Sequence, residues 1–221
     1  MNWVAIDGPA GAGKSTIAKE ASKKLGFIYV DTGALYRAIA LHIIRTKKDY
    51  KNKEDIINEL PNINISLEFK DREQHVILCG DDVSSEIRSP QVSMAASSVS
   101  AIKEVRDFLL SLQRNIALKN NVIMDGRDIG TVVLPESKIK IFLTASPEKR
   151  AERRYKELIL KGKNVTYQDV LDDINQRDFN DQNREIAPLK PAKGAEIIDT
   201  SNMTLDESIN YLVSFLKERL N

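Results

Sequence analysis

Gly8-Pro9-Ala10-Gly11-Ala12-Gly13-Lys14-Ser15-Thr16 is the stretch on which the fold turns. It fits G-x-x-x-x-G-K-[ST], with Gly8, Gly13, Lys14 and Ser15 in the fixed places. The glycines let the backbone curl until several N–H groups point into one concavity. Such a concavity holds phosphate oxygens, helped by the positive end of the helix that follows. Lys14 can reach the β- and γ-phosphates of a nucleotide, and Ser15 can offer its hydroxyl to Mg²⁺. The flanks give the required order of strand, loop and helix. Trp3-Val4-Ala5-Ile6 is an apolar run suited to a buried strand, and Ile17-Ala18-Lys19-Glu20-Ala21 is a good helix start.

Outward from this loop, strands alternate with helices. Gly26 is the stop signal of the first helix. Phe27-Ile28-Tyr29-Val30 is a second buried strand, ending at Asp31-Thr32-Gly33. The helix after it carries Leu35, Ile39 and Ile43 on one face, with Tyr36 and Arg37 off that stripe. Residues 47–59 are charged and expected on the surface. Between 63 and 87 the texture changes. Ile65, Leu67 and Phe69 alternate with polar residues, as do Val76 and Leu78, before a Gly80-Asp81-Asp82 turn. This predicts two or three antiparallel strands. Ser89-Pro90 then starts a short helix, and Val105, Leu109, Leu112 and Ile116 mark a longer amphipathic one.

Val122-Ile123-Met124 and 139–143 read as further strands, and Ile197-Ile198 as a fifth. Ser146-Pro147, Thr166 and the Thr204/Glu207 capping-box pair start the last three helices. The expected fold is α/β: a five-stranded parallel sheet with helices on both faces, plus a small antiparallel insert. One domain of 221 residues is expected, with a core of 1–33, 120–146 and 187–221.

A net charge of +1 argues against a dedicated nucleic-acid or membrane binder, because both show a basic excess. Cys79 is the single cysteine, which excludes an internal disulfide and argues against a zinc cluster. Its expected place is as a small apolar side chain in a strand. The chain goes into its first strand with no charged leader, and no apolar run approaches the ~20 residues that span a bilayer. A cytoplasmic protein is expected. With no long exposed apolar helix face in view, so is a monomer.

In open parallel sheets ligands collect at the carboxyl ends of strands. Those ends carry 8–15, Asp31-Thr32-Gly33, Asp125-Gly126-Arg127-Asp128 and Ser146. Asp125 is placed to hold Mg²⁺, directly or through water, beside Ser15. The plainer reading is a surface Asp-Gly turn. Arg150, Arg153 and Arg154 share one helix side, and Arg177, Asp181 and Arg184 another. Each set is either a solvated charged face or part of a lid over phosphates. Asn52-Lys53-Glu54-Asp55 matches a guanine-reading N-K-x-D motif but follows no apolar strand, so it is a chance match. His42 and His75 lack metal-ligand spacing.

Residues 8–16, Asp31-Thr32-Gly33-Ala34-Leu35-Tyr36-Arg37, Asp125-Gly126-Arg127-Asp128-Ile129-Gly130-Thr131-Val132-Val133 and Arg177-Asp178, Asp181, Arg184 and Ala187-Pro188-Leu189 closely resemble the bacterial cytidylate kinases. These are P-loop nucleoside monophosphate kinases, and the likeness covers essentially the whole chain. It implies a P-loop kinase fold with a monophosphate-binding region over 34–119, which holds the insert, and a helical lid over 147–186. The implied reaction moves the γ-phosphoryl group of ATP to CMP or dCMP, with Mg²⁺. By position, residues 8–16 would hold ATP. Thr32, Arg37 and Arg184, with Arg127, would hold the CMP phosphate. Ser97, Arg106 and Asp128 would read cytosine, and Arg177 and Asp181 would face the ribose. Arg153 and Arg154 would belong to the lid. Lys14, Arg127, Arg153, Arg154 and Arg184 would be the catalytic cations. The Mg²⁺-binding hydroxyl would come from Ser15 or Thr16.

The chemistry of the base agrees. A carboxylate such as Asp128 suits the cytosine amino group, and a guanidinium such as Arg106 suits N3 and O2. Rival readings are a kinase for UMP, AMP or another phosphorylated metabolite, and a P-loop switch driving a partner. No switch segments or partner surface are evident for the second.

Overall fold

The computed structural model describes residues 1–71 and 73–220. Val4, Ala5 and Ile6 have no exposed surface, as a central strand covered on both faces requires. They belong to β1 (Trp3–Asp7), which is followed by α1 (Lys14–Leu25), β2 (Ile28–Asp31) and α2 (Thr32–Arg45). Next come α3 (Lys53–Glu59), β3 (Ile65–Lys70), β4 (Glu73–Leu78), β5 (Asp81–Asp82), α4 (Pro90–Ser100) and α5 (Lys103–Lys119). The chain closes with β6 (Val122–Gly126), β7 (Ile139–Thr144), α6 (Pro147–Leu160), α7 (Tyr167–Asn183), β8 (Glu196–Asp199) and α8 (Leu205–Leu220). A five-stranded sheet has the order β2-β6-β1-β7-β8. β1 and β7 pair in parallel with Val4 opposite Ile139, and β7 and β8 with Ile141 opposite Glu196.

The chain divides into two units. The first is Ile28–Val122 with Met1; the second is Asn2–Phe27 with Ile123–Asn221. In the first, α2 turns Leu35, Ala38, Ile39 and Ile43 into a core with Ile56, Val76, Leu78, Ile87, Val99, Val105 and Leu109. The antiparallel sheet β3-β4-β5 is the insert legible in the alternation. Ile65 faces Leu78, and Leu78 faces Asp81. In the second unit α1 packs on α8 and α6 on α7, the latter pair around Ala151, Val170 and Ile174.

The helix signals hold in detail. Gly26 ends α1 at φ 72, donating its amide to Ser22 O. Ser89, Ser146 and Thr166 accept backbone amides at the starts of α4, α6 and α7. Thr204 and Glu207 cap α8 reciprocally at 2.8 and 3.2 Å.

Three local expectations are corrected. Residues 47–59 are not only charged surface, since they include α3, which buries Ile56 completely. The Asn52 side chain of the N-K-x-D match caps that helix, accepting from Glu54 N at 3.0 Å. Cys79 lies in the turn after β4, exposed and at φ 51, with its Sγ donating to Asn62 O at 3.7 Å. On α5, Val105 and Leu109 are buried as expected, but in the second half Gln113 and Ala117 are buried while Leu112 and Ile116 are half-buried, so there the buried stripe is shifted by one position. Among the described residues no helix is long and apolar enough to cross a membrane.

Candidate active site

The phosphate loop follows β1 in the second unit, and its glycines have separate causes. A side chain on Gly8 would place a Cβ 2.0 Å from Leu143 O, so only glycine lets the loop pass β7. Gly13, at φ 84, opens α1 in the left-handed region. Lys14 is buried, and its Nζ donates to Pro9 O at 2.7 Å. Burial, and then the nearby Arg127 charge, lower its pKa to about 7 despite the pull of Asp125, Asp181 and Asp7.

Ser15 Oγ donates to Asp125 Oδ2 at 2.9 Å, joining the start of α1 to the end of β6. A hydroxyl and a carboxylate are the hard oxygen donors that Mg²⁺ prefers. Among the described residues no group of three or more His, Cys, Asp or Glu could hold a metal alone. An ion here would complete its shell with phosphate oxygens and water, so the donor set fits the nucleotide-borne cation expected from the sequence.

Asp7 was not singled out in the sequence. It ends β1 with 2% exposure, and its two carboxylate oxygens each accept a backbone amide. Ile129 N donates to Oδ1 at 2.7 Å and Gly130 N to Oδ2 at 2.8 Å. Burial raises the Asp7 pKa to about 6 against the pull of these amides and Lys14, with Asp128 pushing it further up. The clamped segment is a single π turn over Ile129–Val133, which directly follows Asp128. A Cβ on Gly130 would meet Ala192 Cβ at 3.1 Å and Asp7 Oδ2 at 3.4 Å, which accounts for that glycine. The signal for Asp7 was available: it is an acid at a strand's carboxyl end, the feature that marked Asp125.

Arg127 Nε donates to Asp181 Oδ2 at 2.8 Å. Burial disfavours its charge, but Asp181 and its neighbours outweigh that and leave the pKa above the ordinary range. Arg184 Nη2 lies 3.7 Å from Asp128 Oδ1, with both side chains almost buried, and Arg184 Nε donates to Ala187 O at 2.7 Å. Ala187 holds φ 50, a left-handed conformation that costs about 1–2 kcal/mol for a residue with a Cβ. Lys14 feels the charges of Asp7, Asp125, Arg127 and Asp181, Ser15 is bonded to Asp125, and Asp128, which faces Arg184, acts on Asp7, so these residues form one network centred on Lys14.

The remaining arginines divide. Arg150 is 2% exposed and donates to Ala145 O, to Ala10 O of the phosphate loop, and to Asp178 Oδ2 at 2.8, 3.0 and 2.5 Å. Arg153 Nη2 donates to Thr200 O at 2.6 Å. Arg154 pairs with Glu157 at 2.8 Å on the exposed side of α6. Arg177 pairs with Asp173 at 3.1 Å and not with Asp181. A cleft of about 350 Å³ adjoins the loop, lined by Pro9, Thr144, Ser146, Arg150, Asp178 and Asp199 among others.

The first unit holds its own cluster. Asp31 Oδ1 accepts from Ala34 N at 3.1 Å, capping α2, and Oδ2 accepts from Arg37 Nη2 at 2.6 Å. Thr32 beside them is buried. Arg37 Nε is buried without a hydrogen-bond partner. Arg106 Nη1 donates to Ser100 O at 3.0 Å, and its guanidinium sits 5.5 Å from the centre of the Tyr36 ring. Ser97 is half-buried on α4.

A model of the cytidylate kinase family matches residues 4–218. The chain belongs to the cytidylate kinase family. It is 52% identical over 204 residues to the cytidylate kinase of Caldicellulosiruptor saccharolyticus, covering 92% of this chain and 90% of that one. It is 49% identical over 215 residues to the cytidylate kinase of Caldanaerobacter subterraneus subsp. tengcongensis, covering 97% and 94%. Among solved structures, an uncharacterized protein from Eubacterium ventriosum aligns with TM-score 0.55 at 11% identity over 98% of this chain and 99% of that chain, a likeness of fold. The residues of the network centred on Lys14 lie within the matched span.

Proposed function

We propose that this chain transfers the γ-phosphoryl group of ATP to CMP or dCMP, giving ADP and CDP or dCDP. The observation that carries the reading is the buried Asp128 carboxylate beside Arg184, in the same network as Lys14 of the phosphate loop. A phosphate oxygen of the monophosphate attacks the γ-phosphorus, the bond to the β-phosphate oxygen breaks, and ADP leaves. Such transfer depends on alignment and on spreading charge over cations, and needs no strong base.

Residues 8–16 hold ATP, with Lys14 on the β- and γ-phosphates. Bound phosphates would take Lys14 away from Pro9 O and restore its full charge. Mg²⁺ would be held by Asp125 and the hydroxyl of Ser15 or Thr16, and would screen charge on the β- and γ-oxygens. Arg127 and Arg184 bind the acceptor phosphate, as do Thr32 and Arg37 of the first unit. Asp128 accepts from the cytosine amino group, while Ser97 and Arg106 serve its acceptor edge and Arg177 and Asp181 the ribose. UMP offers a carbonyl to Asp128. Two facing acceptors would replace that hydrogen bond with a repulsive contact, at about 1–3 kcal/mol or more. Arg153 and Arg154 belong to a lid formed by α6 and α7. To reach ATP they would exchange Thr200 and Glu157 for phosphate. The near-neutral charge supports small-molecule partners only, and we read the chain as a cytoplasmic monomer.

Initial rates with ATP and a panel of CMP, dCMP, UMP and AMP test this. CMP and dCMP are expected to be converted, with product identified by ion-exchange chromatography. ATP hydrolysis indifferent to added monophosphate would overturn it.

A further inference from the structure

The three-stranded sheet of the first unit has no role in the reaction as described. Its middle strand nonetheless reaches the end of β2. Gln74, on β4, accepts from Asp31 N through Oε1 at 2.8 Å and donates to Asp31 O through Nε2 at 3.2 Å. This is the two-point pairing that a neighbouring strand would offer, delivered by a side chain. It fixes the peptide groups on both sides of Asp31.

Asp31 is the hinge of the local cluster. One carboxylate oxygen starts α2 at Ala34 N, and the other grips Arg37 Nη2 at 2.6 Å. Gly33 leaves the room this needs, since a Cβ there would lie 3.2 Å from Arg37 Nη1. Arg37 Nε is buried and unpartnered, so this guanidinium keeps donor capacity after pairing with Asp31. A guanidinium held at one edge is suited to an incoming phosphate, because less side-chain freedom is lost on binding.

We propose that Gln74 is a positioning residue for the acceptor phosphate: by clamping the Asp31 backbone, it sets the Arg37 guanidinium that receives that phosphate. The inference rests on the acceptor reading above and gives the insert a part in substrate affinity. A purely structural Gln74 would satisfy the edge of β2 and affect stability alone, or both substrates alike.

Steady-state kinetics on the full chain separate these. Gln74→Ala is expected to raise KM for CMP by about tenfold, with kcat and KM for ATP within about twofold of wild type. Its thermal midpoint should shift by only a few degrees, on the order of a partly exposed polar substitution. In an Arg37→Ala background the same change should move KM for CMP by less than about twofold, because the effect travels through Arg37. An unchanged KM for CMP in Gln74→Ala, or an equal rise in both KM values, overturns the clamp. So does an undiminished effect in the Arg37→Ala background. If Arg37→Ala itself leaves KM for CMP unchanged, the acceptor reading falls and the clamp with it.

Discussion

Ser15 Oγ donates a 2.9 Å hydrogen bond to Asp125 Oδ2 across 110 residues of sequence. One group opens α1 and the other sits near the end of β6, so the bond joins the phosphate loop to the turn that carries Arg127 and Asp128. Weakening the carboxylate should therefore affect the cation more than the fold. Asp125→Asn is expected to raise the Mg²⁺ concentration giving half-maximal rate by about tenfold. A magnesium titration at saturating ATP and CMP reads this, and unaltered Mg²⁺ dependence would remove Asp125 from the site.

If Lys14 grips the phosphates of ATP as proposed, ATP binding should be a proton-linked event. Its pKa is lowered to about 7 in the free protein, by burial first and Arg127 second. Polyphosphate favours the charged form and raises it again. At pH 8 binding should draw up to about one proton per ATP from solution, and at pH 6 close to none. Calorimetry in buffers of different ionisation enthalpy measures the uptake. The same experiment at pH 8 on Lys14→Ala should lose it.

Asp7 gives a stability signature of defined sign. Its folded pKa is raised from 3.8 to about 6, so the folded chain prefers the protonated form. That contribution is fully present below about pH 4 and is lost as pH rises through 6. Relative to Asp7→Asn, which stays neutral, wild type should lose on the order of 3 kcal/mol across this window. Urea melts of both proteins between pH 4 and 7 give the difference, and parallel curves would contradict it.

Arg150 ties Ala145, the phosphate-loop carbonyl of Ala10 and Asp178 together from a buried position. Arg150→Ala leaves Asp178 without its cation. A cost of about 3 kcal/mol is expected, as for other buried pairs that lose one partner. A denaturant midpoint close to wild type would show that the three bonds carry little.

Much of this was legible in the sequence because it rests on local chemistry. The phosphate loop, the caps Ser89, Ser146 and Thr166, and the alternation in β3 and β4 are short-range signals that packing does not override. What the sequence did not disclose are pairings set by tertiary distance. Nothing within a few residues of Gln74 points to Asp31, or of Asp7 to Ile129 and Gly130. Arg177 and Asp181 have the spacing of an ion pair, yet each takes a different partner, because Arg127 reaches Asp181 from another element. Cys79 read as a strand residue because its neighbours Ile77 and Leu78 are apolar. The tight turn places it at positive φ instead.

The central claim is that the buried Asp128 carboxylate reads the amino group of cytosine. The ratio of kcat/KM for CMP to that for UMP, compared between wild type and Asp128→Ala, tests it most directly. Wild type should favour CMP by on the order of 10⁴, and the variant should lose at least about 10²-fold of that preference. A ratio that stays the same in the variant would contradict the account.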